Sequence, residues 1–235
     1  MRNKEITLVF TLLLVISGAR TYGEDKTKEP LKFYGGISTG YNRGFGIRTN
    51  LTLSNFQSDF PFELSLSAGY TFMNPGNAAD ARRIFINNAT NGVPEKKGSS
   101  FDLRLDFKKS RSIFGIEHSY LVFGPRFSTF KGDFIYVGGN EDFEVTSIQW
   151  GIGGGAENQF NLMQNLNFVM AYGLDFYFPS TLTGHDTAYS PDNDNVNPEN
   201  DNQNGDTPFR YGDANQAIRQ PMLMPYIMIG MIYKL

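Results

Sequence analysis

Histidine is the side chain that most often moves protons near neutral pH, and the sequence contains two, His118 and His185. His118 is followed by Ser119, which offers a hydroxyl group. Both lie on a predicted strand, where adjacent side chains point to opposite faces, so they do not form a catalytic pair. His185 precedes Asp186 in a long loop, but no serine-containing motif brackets it. We therefore predict no catalytic residue, and we expect that the protein is not an enzyme.

The long connection over 179–220 is rich in aspartate and asparagine, whose oxygen atoms are the ligands that calcium prefers. Their spacing does not follow the EF-hand pattern, because Val196 stands where that pattern needs a ligand. We therefore interpret 180–216 as a solvated, exposed loop and predict no bound metal, with calcium binding as the alternative. The candidate calcium ligands are Asp192, Asp194, Glu199, Asp201 and Asp206.

The composition excludes several other kinds of site. The chain has 21 basic and 24 acidic residues and no basic run, so we expect no nucleic-acid partner. It has no cysteine, which excludes disulfides, thiolate metal sites and a cysteine nucleophile. No phosphate-binding loop, dinucleotide fingerprint or metalloprotease helix occurs, so we predict no cofactor.

The first 23 residues have the layout of a secretory signal peptide. A basic start precedes an apolar run of eleven residues, 6–16, and small residues follow. The run is too short for a transmembrane helix, which needs about 20 apolar residues. We predict cleavage after Ala19 or Gly23, and we expect residues 24–235 to form a single domain.

Any functional site in this protein would have to be positioned by β-strands. Apolar and polar residues alternate with a period of two through most of the remaining chain, which is typical of strands with one apolar face. We predict eight strands, over 31–41, 45–54, 62–72, 101–108, 117–130, 143–158, 164–178 and 221–235.

The connections between the predicted strands alternate in length. Three are long, at 73–100, 131–142 and 179–220, and the first contains a predicted short helix from Ala78 to Asn87. Shorter connections lie near 55–61, 109–116 and 159–163. Long loops on one rim and short turns on the other are typical of outer-membrane barrels.

The two faces of the predicted strands differ in size as well as polarity. One face is rich in Phe, Leu and Tyr, whereas the other carries Gly, Ser, Ala, Thr and single charges of balanced sign. Small residues suit the narrow interior of an eight-stranded barrel, and closure removes the unpaired edges that lipid does not tolerate. We predict an all-β, eight-stranded antiparallel up-and-down transmembrane β-barrel; the alternative is a water-soluble exported sheet. The predicted lumen network consists of Arg48, Glu63, Asp102, Arg104, Asp106, Lys108, Arg126, Glu157 and Asp175.

The chain ends with Gly230, Tyr233 and Leu235, which resemble the C-terminal strand signal of outer-membrane barrel proteins, although the usual last residue is phenylalanine. In pattern and length the mature chain resembles small outer-membrane β-barrel proteins of the OmpA, OmpX and OmpW type. The resemblance implies residence in the bacterial outer membrane, contact with outer-membrane lipid and lipopolysaccharide, and recognition of the last strand by the barrel-assembly machinery.

Our leading hypothesis is a non-enzymatic barrel whose surface loops serve interaction or envelope integrity. We expect any extracellular ligand to bind through the loops at 73–100 and 179–220. Two alternatives stay open: a small channel for ions or apolar solutes, and a lipid A-modifying barrel enzyme.

Overall fold

The protein forms a closed antiparallel β-barrel in a computed structural model, which describes residues 30–57, 60–86, 92–139, 142–201 and 207–235. The predicted signal peptide, 1–23, lies outside the described residues. All elements belong to one unit, Leu31–Leu235. The strands are β1 (Lys32–Asn42), β2 (Phe45–Ser54), β3 (Glu63–Met73), β4 (Val93–Ser110), β5 (Ser119–Val137), β6 (Asp142–Met163), β7 (Leu166–Tyr177), β8 (Leu182–Thr183), β9 (Ala188–Tyr189) and β10 (Leu223–Lys234). The helices are α1 (Ala78–Phe85) and α2 (Tyr211–Ala217).

Eight of the strands form the barrel wall, in the order β5-β4-β3-β2-β1-β10-β7-β6, and β5 also pairs with β6 to close the sheet. Every neighbouring pair in the wall is antiparallel. These pairings confirm the predicted eight-stranded antiparallel barrel. In the predicted third strand Leu66 and Tyr70 face outward and Ser65 and Ser67 face inward, as the alternation indicated.

The two rims of the barrel differ in what connects their strands. One rim, which we call the turn end, carries the short links from β2 to β3, β4 to β5 and β6 to β7. The opposite rim, the cap end, carries the β3–β4 connection with α1 and the β7–β10 connection with β8, β9 and α2. The tight β1–β2 turn also lies there.

Strands β4, β5 and β6 are longer than the sequence predicted, with 18, 19 and 22 residues. The predicted loops at 73–100 and 131–142 are therefore wrong in part, since 93–100 and 131–137 continue β4 and β5. Lys97, for example, pairs with Asp133 in this extension. The apolar outer face ends before the hydrogen-bonded ladder does, so alternation alone placed the strand ends too early.

The long connections fold into a structured cap. Helix α1 begins after Asn77, whose side chain accepts a hydrogen bond from Ala79 N at 3.0 Å, which stabilises the helix start. The Tyr189 hydroxyl donates to Ile84 O at 2.7 Å and so ties the β7–β10 connection to α1. The described part of the connection is therefore anchored to the rest of the cap.

Apolar side chains from α1, α2, β5, β6 and the β7–β10 connection form a hydrophobic core in the cap. This corrects the interpretation of 180–216 as a solvated, exposed loop in its described part: Leu182, Tyr189 and Phe209 pack inward, whereas Asp192 and Asp194 are exposed. Fully or almost fully buried members of this cap core are Ile84, Phe85, Phe130, Phe134, Val145, Leu182, Tyr189, Ala214, Ala217 and Ile218.

The outer face of the barrel wall is apolar. Leu66, Trp150 and Ile152 expose 58, 62 and 59 % of their surface, an arrangement that water would not favour for so many large side chains. Phe45 stacks with Phe72 near the cap end, and other aromatic clusters lie near the turn end. No helix among the described residues is long and apolar enough to cross a membrane.

Candidate functional site

The centre of the barrel interior is an ion-pair chain that converges on Asp175 of β7. Its Oδ2 lies 2.6 Å from Arg104 Nη2, and its Oδ1 lies 2.7 Å from Arg126 Nε. Both arginines and Asp175 are almost completely buried. A carboxylate removed from water is stable in this position because two cations and their hydrogen bonds replace its hydration.

Two further carboxylates, those of Asp102 and Asp106, complete this series of ion pairs. We call the set Asp102, Arg104, Asp175, Arg126 and Asp106 the central network. Asp102 Oδ2 accepts from Arg104 Nε at 2.8 Å, and Asp106 Oδ1 lies 2.7 Å from Arg126 Nη2. The network links β4, β5 and β7 across the interior, so it braces the wall as well as filling it.

Tyr226 of β10 adds an aromatic surface to the central network. The guanidinium carbon of Arg104 lies 5.0 Å from the centre of its ring, and that of Arg48 lies 4.9 Å away. Cation–π attraction of this kind is worth about 0.5–2 kcal/mol for each pair. Arg48 makes no direct ion pair in the described residues, and its guanidinium group lies over the Tyr226 ring.

Glycines on the inner face make room for these large groups. A Cβ atom on Gly69 would lie 2.8 Å from Asp102 Oδ2, and one on Gly155 or Gly173 would lie 2.6 Å from the Tyr226 hydroxyl. A Cβ on Gly153 would collide with the Asp175 carboxylate. Gly153 and Gly155 therefore reflect close packing inside the barrel, and the run at 153–155, which lies within β6, does not form a phosphate-binding loop.

A second group of charges lies nearer the turn end. Lys108 Nζ is 2.6 Å from Glu157 Oε1 and 4.7 Å from the centre of the Tyr120 ring. Glu157 also accepts from Gln159 Nε2 at 2.7 Å, and Glu63 accepts from Ser54 Oγ at 3.0 Å. All nine predicted lumen residues thus lie on the inner side of the wall, although they form two groups instead of one.

Between these groups the interior holds a cavity of about 50 Å³, lined in part by Arg48, Asn50, Ser67 and Glu157. This is room for a few water molecules, each of which needs roughly 10–15 Å³ of such volume. Toward the cap end the interior is closed by buried Tyr177, Met224 and Phe130. The described interior is therefore packed along most of its length.

The structure does not bring the other candidate residues into a catalytic arrangement. His118 is exposed at the turn end, and the buried Ser119 donates its hydroxyl to Ile116 O at 2.9 Å, away from His118. His185 Nδ1 lies 2.8 Å from Asp186 Oδ2, and both side chains are largely exposed. Neither histidine is paired with a nucleophile among the described residues.

The candidate calcium ligands do not form a site in the described part of the cap. No group of three or more His, Asp or Glu side chains is placed there to hold a metal. Asp192 instead accepts from Asp194 N at 3.1 Å, and hydrogen bonds, chiefly from Ser190, lower the pKa of Asp192. Asp206, the last of the five candidates, lies outside the described residues.

The predicted assembly residues lie on the strand that completes the barrel. Tyr233 faces outward and pairs with Gly35 of β1 and Leu166 of β7. Gly230 packs against Ser38, where a Cβ would collide with the backbone of β1. Leu235 N donates to Phe33 O at 2.9 Å.

Sequence reasoning missed Tyr226 and the cap core. The sequence feature that could have revealed Tyr226 was the inner face of the last strand, which is apolar, whereas the inner faces of the other strands are polar. Met224, Tyr226, Met228 and Ile232 all point inward there and are buried. The cap core had a weaker signal, because its apolar residues are scattered through polar segments.

No protein-family model matches the chain. No curated protein matches it either. Among solved structures, a major outer membrane protein from Thermus thermophilus has a TM-score of 0.67 at 21 % identity, and the match covers 88 % of this chain and 100 % of that one. Neisserial surface protein A gives a TM-score of 0.39 at 10 % identity, over 87 % of this chain and 96 % of that one. CarO2 from Acinetobacter baumannii gives a TM-score of 0.36 at 11 % identity, over 88 % of this chain and 100 % of that one. The chain therefore has the eight-stranded barrel fold that is known from an outer membrane protein.

Proposed function

We propose that the protein is a non-conducting, non-enzymatic barrel of the bacterial outer membrane that holds a folded cap on the cell surface. The observation that carries this proposal is the packed interior. The central network fills the lumen at its middle, and the cap core covers it. A solute path through the barrel would have to break several buried ion pairs.

Strand polarity supports a membrane position for the wall and an aqueous position for the cap. On β5 the inward residues change from Arg126 and Ser128 to Phe130 and Phe134 toward the cap end. The outward residues change at the same level from apolar to charged. Beyond that level Lys131 forms ion pairs with Asp133 and Glu144 on the outer face. Inversion of both faces at one level is what we expect where a strand leaves lipid for water.

Export by the signal peptide, recognition of Gly230, Tyr233 and Leu235 by the barrel-assembly machinery, and contact with lipopolysaccharide belong to the same proposal. Export rests on the layout of residues 1–23, and the other two rest on the sequence resemblance and on the exposed apolar wall. The cap, with α1 and the described part of 179–220, presents the surface on which an external ligand would bind.

Planar-bilayer recording tests the sealed interior. We expect no discrete conductance steps from the folded protein, whose insertion is verified separately by heat-modifiable gel migration. Reproducible ion conductance by the folded protein would contradict the proposal and favour the small-channel alternative.

Labelling of intact cells tests the orientation, and the cysteine-free chain is well suited to it. Val196→Cys places a thiol on an exposed part of the cap, and Phe114→Cys places one at the turn end, where Phe114 is 88 % exposed. We expect a membrane-impermeant maleimide to label the first variant in intact cells and the second only after the outer membrane is permeabilised. The reverse pattern would contradict the orientation.

Mass spectrometry of lipid A tests the enzymatic alternative. We expect the same acyl chains and phosphates in cells with and without the gene. A change that depends on His118 or His185 would contradict the non-enzymatic role.

A further inference from the structure

A cleft of about 280 Å³ lies at the cap end, where the β1–β2 turn meets the segment between α2 and β10. Its lining includes two arginines, Arg43 and Arg219, together with Gln220 and Leu223. The volume approaches the lower end of the roughly 300–1,000 Å³ range of ligand sites.

In the described part of the chain, the two arginines share the cleft without an acidic partner. Neither forms an ion pair with an Asp or Glu side chain in the described residues. Burial and then the nearby charge of Arg219 lower the pKa of Arg43, as is expected for two cations that lie in one cleft. An anion bound between them would remove this repulsion.

The walls of the cleft are held in place before any ligand binds. Arg43 Nη1 donates to Gln220 O at 2.9 Å, and Arg219 N donates to Pro75 O at 2.8 Å. The buried Gln220 side chain donates to the Tyr211 hydroxyl and to Asn215 Oδ1, both at 2.8 Å. Its other polar atom, Oε1, is buried without a hydrogen-bond partner among the described residues.

The cleft adjoins the apolar outer wall. Leu223 forms part of its lining, is 53 % exposed and pairs with the outward-facing Phe176. Tyr41 and Phe45, on either side of the β1–β2 turn, face outward with 54 and 56 % exposure. A headgroup between the arginines would therefore have its acyl chains against these side chains, whereas a free anion would gain nothing from them.

From this geometry we infer that Arg43 and Arg219 form a binding site for the phosphoryl headgroup of a lipid in the surrounding leaflet. Guanidinium groups bind phosphate through paired, charge-assisted hydrogen bonds, and cations at the edge of an apolar band attract anionic headgroups. The inference rests on the proposed membrane position of the barrel wall. It names the lipid as the source of the phosphate and the paired arginines as the recognition element.

Native mass spectrometry of the barrel in neutral detergent tests the inference with bisphosphorylated lipid A as the probe. We expect one lipid bound per barrel and about tenfold or greater weakening in the variant Arg43→Gln/Arg219→Gln, which corresponds to a loss of at least about 1.4 kcal/mol. The matched control, Lys97→Gln/Lys131→Gln, also removes two cap-end cations and should bind as the native protein does. Dephosphorylated lipid A should bind as weakly as the double arginine variant.

Two outcomes would overturn different parts of the inference. Equal lipid binding by the native protein and the double arginine variant would overturn the site. Binding of glucosamine 1-phosphate as tight as that of lipid A would overturn the choice of a lipid as the source of the phosphate. Heat-modifiable migration, measured on every variant, reports the barrel separately, so failure of the site and failure of the proposed membrane barrel are distinguishable.

Discussion

Asp175 lies between two arginines at the middle of the barrel, whereas Phe134 lies among aromatic side chains in the cap, stacked 5.1 Å from Phe143. Both are completely buried. The same strand, β5, lines both regions with its inner face, and that face is ionic in one and apolar in the other. The comparison shows that the medium around the wall, lipid or water, decides whether charged or apolar side chains face inward.

Lipid and water favour opposite orientations of the apolar side chains. Where lipid covers the outer face, apolar side chains gain by pointing outward, so the interior can hold charges only if they are paired. Where water covers it, apolar side chains gain about 25 cal/mol for each Å² they bury, so they point inward. The predictions below test whether the two regions depend on these different interactions.

The largest effect is expected from Asp175→Asn, which leaves Arg104 and Arg126 without their shared carboxylate. Breaking a buried ion pair by removing one partner costs about 3–5 kcal/mol. Urea unfolding of the protein in lipid vesicles, followed by heat-modifiable migration, measures it. Asp133→Asn, at an exposed pair, is the control and should cost less than about 1 kcal/mol. A similar small loss at Asp175 would show that the central network does not stabilise the barrel.

In the cap, Ile84→Ala should cost about 3 kcal/mol, because it leaves a void in a fully buried position. The loss should be local: limited proteolysis should cut the cap faster while the barrel keeps its heat-modifiable migration. Val196→Ala, at an exposed cap residue, is the control. If the barrel of the Ile84 variant unfolded together with the cap, the two regions would not be independent cores.

The close packing of the lumen can be tested with Gly153→Ala, which should cost about 1–3 kcal/mol because the new methyl group would displace the Asp175 carboxylate. Gly35→Ala is the control, since its Cβ would lie in ordinary contact, 3.7 Å from Leu235 Cδ1. Urea unfolding of both variants measures the difference. Equal stability would mean that the inner face has free space beside Asp175.

The smallest effect concerns Tyr189, which connects the β7–β10 connection to α1. Burial raises the pKa of Tyr189 to about 12, above the value of about 10 for an exposed tyrosine. Its contribution to cap stability is therefore present below about pH 10 and is lost as pH rises toward 12.

Tyr189→Phe should cost about 1 kcal/mol at neutral pH and should remove part of the alkaline loss. Proteolysis rates of the cap between pH 8 and 12 measure both. An unchanged pH profile in the variant would assign the alkaline loss to other groups.

The sequence was sufficient to predict the barrel wall, because apolar and polar residues alternate strictly with a period of two in a strand that has lipid on one side. Leu64, Leu66 and Tyr70 could therefore be placed outside, and Arg104 and Asp175 inside. Which charges pair with which could not be predicted, since the partners of Asp175 lie on β4 and β5, far away in the sequence. The residue Tyr226 was missed because an apolar inner face weakens the same alternation.

The cap was predicted poorly, for a physical reason. Its core is assembled from single apolar residues of separate segments, such as Leu182, Phe209 and Ile218, and no local period marks them. The helix α1 was the exception: the structure confirms it over Ala78–Phe85, Ile86 is its C-cap, and Asn87 lies outside the described residues.

Spin-label accessibility measures directly which face of the barrel wall meets lipid. Single cysteines at outward positions Leu66, Ile152 and Leu174, and at the cap residue Asp133, would carry the label in reconstituted vesicles. We expect the first three to be reached by oxygen dissolved in lipid and shielded from a water-soluble nickel chelate, and Asp133 to show the opposite. Ready access of the chelate to Leu66, Ile152 and Leu174 would contradict the account.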